Sequence, residues 1–123
     1  QIMQIIKYKP KDFGMISGDD AITLPMIALG AQGVISVVAN AYPAIFAQMV
    51  RHCLAGDFAA ARPMHYMLVD IINTLFAEGS PSGVKAYLSE MGICGNHVRL
   101  PVVPVSERML DKIKVNMRLL VGS

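Results

Sequence analysis

A polar turn directly follows an apolar, strand-like segment near the start of the chain. The apolar segment is residues 13–17 (FGMIS), and the turn begins at its last residue with Ser17, Gly18, Asp19 and Asp20. Ligands of α/β sheets and barrels bind at the carboxyl ends of the parallel strands, so two acids and a glycine at this place are candidates for a functional role. The alternative is a tight turn in which an acid stabilises the N-terminus of the next helix. The pattern alone leaves both interpretations open.

Other residues with suitable chemistry do not form a recognisable set. Asn40 follows the second apolar segment, where we favour an amide that satisfies loop backbone groups. His52, His65 and His97 lack the spacing of metal ligands, so no metal site is predicted. Lys85 has apolar neighbours and could be a Schiff-base nucleophile if it were desolvated. A surface lysine whose stem packs on apolar groups is the favoured interpretation.

The elements around the first turn form a predicted strand–helix–strand unit. Residues 34–39 (VISVVA) are almost wholly apolar, which is typical of a parallel strand buried on both faces, and residues 13–17 are predicted to be its partner. Between them lies a helix, with Thr23 as N-cap, Pro25 in its first turn and Gly30 just after its end. The chain therefore begins with βα units.

Helices account for most of the remaining chain. Residues 1–8 look like the end of a helix, and because neither a capping residue nor an initiator methionine precedes them we expect the chain to begin inside a longer protein. The later predicted helices run from Pro43 to about 54, from the cap Asp57 to about 78, from 84 to 91, and from the cap Ser106 to about 121. Pro63 should kink the second of these or mark its true start. Residues 96–105, with two prolines, predict an extended connection.

Composition limits the classes of protein. The 123 residues are 54% hydrophobic and 16% charged, which suits a piece of a larger or oligomeric body. A net charge of +2 without a long basic run argues against nucleic acid as a partner. The most apolar window, 22–39, is interrupted by proline and glycines and is not predicted to span a membrane. Cys53 and Cys94 are expected to be reduced thiols in a cytoplasmic protein.

An ordered set of motifs resembles the dihydrodipicolinate synthase family. The motifs are SGDD at 17–20, GVISV at 33–37 with Asn40, Gly56-Asp57 at the start of a long helix, and RLP-x-x-P-x-S at 99–106, and the resemblance runs to about Lys112. The GVISV segment with Asn40 favours this family over the N-acetylneuraminate lyases and keto-deoxy-sugar aldolases. The chain departs from the family pattern at two places. It has Ser80-Pro81-Ser82-Gly83-Val84-Lys85 where the family often has Asn-Pro-x-Pro-x-Lys, and it has Pro63 where a helix-forming residue is more usual.

The resemblance implies an α/β fold and a place within it. The family has a (β/α)8 TIM barrel followed by a C-terminal helical appendage. Residues 1–56 would be the C-terminal part of the barrel: the end of helix 6, strand 7, helix 7, strand 8 and helix 8. Residues 57–123 would be the three-helix appendage. The chain would thus hold the last two βα units and the appendage.

The same resemblance implies an activity and its location in the chain. The family condenses pyruvate with aspartate semialdehyde in lysine and diaminopimelate biosynthesis, through a Schiff base on a lysine of the sixth strand, without a cofactor or metal. That lysine, a tyrosine-centred proton relay and a substrate-binding arginine would all precede Gln1, so no catalytic residue is expected here. Gly18, Asp19 and Ile35 would form the pocket wall. We expect an inactive C-terminal fragment of a homotetrameric enzyme; the alternatives are a related pyruvate-dependent aldolase and a non-catalytic oligomerising module.

Overall fold

A computed structural model describes residues 1–121, which form a two-stranded parallel sheet and a series of helices. The elements are α1 (Ile2–Tyr8), β1 (Ile16–Ser17), α2 (Thr23–Ala28), β2 (Gly33–Val34), a 3-10 helix (Val38–Asn40), α3 (Pro43–Leu54), α4 (Phe58–Phe76), α5 (Ser82–Glu90) and α6 (Glu107–Val121). None of the helices within 1–121 combines the length and the apolar character needed to cross a bilayer. The order of elements agrees with the predicted βα units followed by helices alone.

Both strands are shorter than predicted. β1 and β2 pair in parallel with Ile16 opposite Gly33 and Ser17 opposite Val34, whereas the sequence predicts strands over 13–17 and 34–39. Each strand has one neighbour in the described chain. One further ladder bond follows β2 at Ile35, and residues 38–40 then wind into the 3-10 helix. The prediction that both strands are buried on both faces is wrong for this chain, because Ile16 is 47% and Ile35 79% exposed.

Helix α2 ends as predicted but begins differently. Gly30 follows it with φ +109°, a left-handed conformation that favours glycine. The predicted N-cap, Thr23, is the first helical residue, and Ile22 takes the cap position without a side-chain hydrogen bond. The Thr23 hydroxyl donates to the carbonyl oxygen of Asp19 at 2.8 Å instead of accepting from the helix. Pro25 lies in the first turn, where its missing N–H costs no helical bond.

Local end signals fix the longer helices. α3 begins at Pro43, and Gly56, with φ +79°, follows its end. The Asp57 carboxylate accepts from Ala60 N at 3.1 Å and caps α4, as the sequence predicts. α4 starts five residues before Pro63 and continues through it, so the idea that Pro63 marks its start is wrong. Ser106 Oγ accepts from Met109 N at 3.2 Å at the start of α6, again as predicted.

The hydrophobic core lies around α4. This helix packs against α2, α3, α5 and α6, and one continuous cluster of buried side chains joins them. Its largest members are Phe46 and Met49 of α3, Leu68, Ile71 and Leu75 of α4, Tyr87 of α5 and Ile113 of α6. The apolar face of α4 therefore supports the sheet end of the molecule as well as the last two helices.

Candidate functional site

The parallel sheet brings the two predicted turns to one edge. Residues 18–20 leave the carboxyl end of β1, and residues 35–40 leave the carboxyl end of β2. Ile35 N donates to Ser17 O at 2.9 Å, which extends the ladder by one bond into the second segment. Turns that follow neighbouring parallel strands share the edge at which α/β proteins bind ligands. Gly18, Asp19 and Ile35 therefore lie on the same side of the sheet.

Hydrogen bonds within the first turn leave Gly18 and Asp19 at the surface. The buried Ser17 hydroxyl donates to Asp19 O at 2.9 Å and accepts from Asp19 N at 3.2 Å. Asp19 Oδ1 accepts from Ala21 N at 2.9 Å. A Cβ added at Gly18 would meet no atom within 4 Å, and the backbone there is not left-handed. Neither packing nor backbone conformation in the described chain requires glycine at this position, so its small size leaves open space beside the strand end.

Asp20 behaves differently from its neighbour Asp19. Its side chain is 2% exposed, and Oδ2 accepts from Val37 N and Val38 N, each at 3.0 Å. Its other oxygen, Oδ1, is buried and has no hydrogen-bond partner within residues 1–121. The two aspartates are equivalent in the sequence pattern, and no local signal distinguishes the one that turns inward. Sequence reasoning therefore missed a direct link between the two turns.

The second turn exposes an apolar side chain beside polar groups that bond locally. Ile35 is 79% exposed, and the Ser36 hydroxyl accepts from Ala39 N at 2.9 Å. The Asn40 amide donates to Val37 O at 3.0 Å, which supports the interpretation that Asn40 satisfies loop backbone groups. Ile35 is therefore the exposed apolar side chain of this turn.

A cavity of about 410 Å³ adjoins the first turn. Gly18, Asp19 and Ala21 form one side of it, and α4 forms the other with Ile72, Asn73, Phe76 and Ala77. The wall is thus one exposed carboxylate, one amide and several apolar groups, which is a usual lining for a small-molecule site. The helical part of the chain thus contributes directly to the surface around the end of β1.

The remaining candidate residues do not gather at this edge. His52 Nδ1 lies 3.5 Å from Asp57 Oδ2, next to the cap of α4. His65 lies on α4, where burial lowers its pKa, and His97 is in the connection before α6. Within residues 1–121 no three His, Cys, Asp or Glu side chains form a group that could hold a metal ion. Lys85 is half-buried on α5, not at a strand end.

Comparisons with known proteins identify the family of this chain. The model of the dihydrodipicolinate synthetase family matches residues 1–119. The chain belongs to this family. It is 48% identical over 114 residues to the 4-hydroxy-tetrahydrodipicolinate synthase of Phocaeicola vulgatus, covering 93% of this chain and 38% of that protein. It is 47% identical over 118 residues to the synthase of Parabacteroides distasonis, covering 96% of this chain and 40% of that protein.

Solved structures of the family share the fold of the chain. The dihydrodipicolinate synthase of Thermotoga maritima superposes with a TM-score of 0.94 at 31% identity, over 98% of this chain and 42% of that chain. The synthase of Aquifex aeolicus gives 0.91 at 40% identity, over 96% and 40%. The resemblance seen in the sequence is therefore confirmed, and with it an α/β fold of this TIM-barrel family. The chain spans about two-fifths of the length of the relatives it matches.

Proposed function

We propose that this chain is the C-terminal part of an aldolase-type lyase that condenses pyruvate with aspartate 4-semialdehyde. The longer protein is the intact enzyme. In this proposal β1 and β2 are the seventh and eighth strands of a (β/α)8 barrel, residues 1–56 complete the barrel, and residues 57–123 form the helical appendage. The observation that carries it is the family match over residues 1–119, at close to half identity with synthases of about 2.5 times this length.

Gly18, Asp19 and Ile35 are the proposed substrate-binding residues. All three follow a strand at the ligand-binding edge of a parallel sheet. The open space beside Gly18 gives a small keto acid room to approach the backbone, and the exposed Ile35 covers the other strand end with an apolar side chain. These residues shape and orient the site. None of them is a nucleophile that could form a Schiff base.

The proposed nucleophile lies outside these 123 residues. Schiff-base chemistry needs a lysine amine that is desolvated or otherwise lowered in pKa, and placed beside the bound carbonyl. The lysines here lie on α1, α5, α6 and the connection after α1. We therefore assign no catalytic residue, cofactor or metal to the chain. Its role is to supply two of the eight strand ends that enclose the substrate, so the isolated chain is expected to be inactive.

Borohydride trapping tests the assignment. The isolated chain and the intact enzyme are each incubated with pyruvate, reduced, and compared by intact mass and peptide mapping. We expect one pyruvate adduct per intact chain, on a lysine upstream of Gln1, and none on the isolated 123 residues. Lys85→Arg in the intact enzyme should trap pyruvate as the parent does. An adduct on Lys85, or condensation by the isolated chain, would contradict the proposal.

The same preparation separates the alternatives. The GVISV segment at 33–37 with Asn40 favours aspartate semialdehyde over the substrates of related aldolases, so the intact enzyme should release no pyruvate from N-acetylneuraminate or a keto-deoxy sugar acid. We also propose that the intact enzyme is a homotetramer, and light scattering measures its oligomeric state. A cytoplasmic location is also part of the proposal, because Cys53 and Cys94 are free thiols. A non-catalytic oligomerising module would instead form oligomers without trapping pyruvate.

A further inference from the structure

We propose that Asp20 is a positioning residue that holds the two walls of the pyruvate pocket in place relative to each other. The proposal rests on the proposed function, because Gly18, Asp19 and Ile35 are taken as those walls. Asp20 follows Asp19 directly in the first turn, and its carboxylate binds the backbone two and three residues after Ile35. A single side chain thus connects the turn after β1 to the turn after β2.

The geometry of the contact makes this connection strong. Oδ2 accepts from Val37 N and Val38 N at 3.0 Å each, at the start of the 3-10 helix Val38–Asn40. The first N–H groups of a helix have no acceptor within it, and a buried carboxylate supplies charge-assisted bonds to two of them. Asp20 and Val38 are both almost fully buried, so water cannot replace the acceptor without rearrangement.

The other bonds of these turns do not duplicate the connection. Asp19 Oδ1 bonds within its own turn, and the Ser36 and Asn40 side chains bond within theirs. The ladder bond from Ile35 N to Ser17 O fixes the strand end but not the residues that follow it. Among residues 1–121, the hydrogen bonds that join segment 36–40 to the first turn are the two made by Asp20.

This arrangement predicts a graded effect of two substitutions. Asp20→Ala removes the acceptor and leaves two N–H groups unpaired, so the segment after Ile35 should shift relative to Gly18. Asp20→Asn keeps an oxygen that can accept both bonds, although without the charge. Displacements of about 1 Å in a reacting site cost on the order of 100-fold in rate. We expect kcat/KM for pyruvate to fall about 10- to 100-fold in Asp20→Ala and less than about 10-fold in Asp20→Asn.

The experiment uses the intact enzyme and counts competent sites. Borohydride trapping of pyruvate gives the number of active sites in each preparation, and kcat and KM are then expressed per trapped site. Asp111→Asn is the matched control, because Asp111 is exposed on α6 and makes no described bond to either turn. We expect it to match the parent in both constants. Thermal unfolding of each variant measures stability separately.

The outcomes are distinct. If Asp20→Ala lowers only the unfolding temperature and keeps the parental KM and kcat per trapped site, Asp20 is merely structural and the proposal is overturned. If Asp20→Ala fails to fold, the same comparison of KM and kcat per trapped site is made with Asp20→Asn. If the parent itself traps no pyruvate, the proposed function fails. Hydrogen exchange then tests Asp20 independently: exchange in peptides covering 35–40 should rise in Asp20→Ala, and unchanged exchange would overturn the positioning role.

Discussion

Replacing Gly83 by alanine should destabilise the protein through a clash between two helices. Gly83 is the second residue of α5 and lies against the backbone of α4 at Leu75. A Cβ built there overlaps the Leu75 carbonyl oxygen and lies 2.7 Å from the Leu75 carbonyl carbon. The backbone at Gly83 is not left-handed, so no conformational reason for glycine competes with the steric one.

The magnitude follows from what would have to move. The obstacle is backbone, which cannot rotate away, and Leu75 is fully buried in the core. The Leu75 carbonyl oxygen is closer still than the carbonyl carbon at 2.7 Å, so restoring ordinary contact of at least 3.4 Å requires α5 to shift as a body relative to α4. Forcing extra atoms into a well-packed core costs about 1–3 kcal/mol, occasionally more. The helix propensity of alanine returns at most about 1 kcal/mol. Because an overlap with backbone lies at the upper end of that cost, we expect a net loss of roughly 2 kcal/mol in the free energy of unfolding.

Urea unfolding of the intact enzyme measures this loss, with Gly18→Ala as the matched control. A Cβ at Gly18 meets open space, so the same chemical change there should alter the free energy of unfolding by less than about 1 kcal/mol. In the proposed site, however, Gly18→Ala fills space used by the substrate and should raise KM for pyruvate. Equal stability of the two variants would refute the close approach of α5 to α4.

Three further predictions concern titratable groups and thiols. Burial lowers the pKa of His65 below 6.5, so the unfolded chain binds the proton first. The stability of the parent should therefore fall as the pH drops below 6.5. Unfolding of His65→Gln as a function of pH should show a smaller fall. Hydrogen bonds from Ser106 lower the pKa of Glu78, so the stabilising effect is complete above the ordinary carboxyl pKa and is lost in acid. The Glu78→Gln variant should therefore be less stable than the parent at neutral pH and equally stable in acid. Unfolding of both proteins as a function of pH measures this difference. Burial raises the pKa of the Cys53 thiol, so a thiol reagent should modify Cys94 in the native protein and Cys53 only on unfolding, and equal rates would contradict this packing.

The sequence predicts helix ends better than strand lengths because the two depend on different distances along the chain. Pro43, Gly56 and Asp57 act on backbone groups within about four residues, so their effect can be inferred without knowing the fold. A strand ends where its neighbour stops offering hydrogen bonds, and that neighbour is set by tertiary structure. The run at 34–39 has the composition of a strand throughout, yet only its first residue pairs in β2, with Gly33 before it.

The pair Asp19 and Asp20 shows the same limit at the candidate site. The sequence marks both as acids after a strand, and the resemblance assigns only the first to the pocket wall. Their roles separate because the Asp20 carboxylate accepts hydrogen bonds from Val37 N and Val38 N, which lie 17 and 18 residues away. No periodicity or capping rule spans that distance. Since β1 and β2 are parallel neighbours, a carboxylate buried between their two turns can hold both, so in the proposed site Asp20 positions a pocket wall of which it is not itself a part.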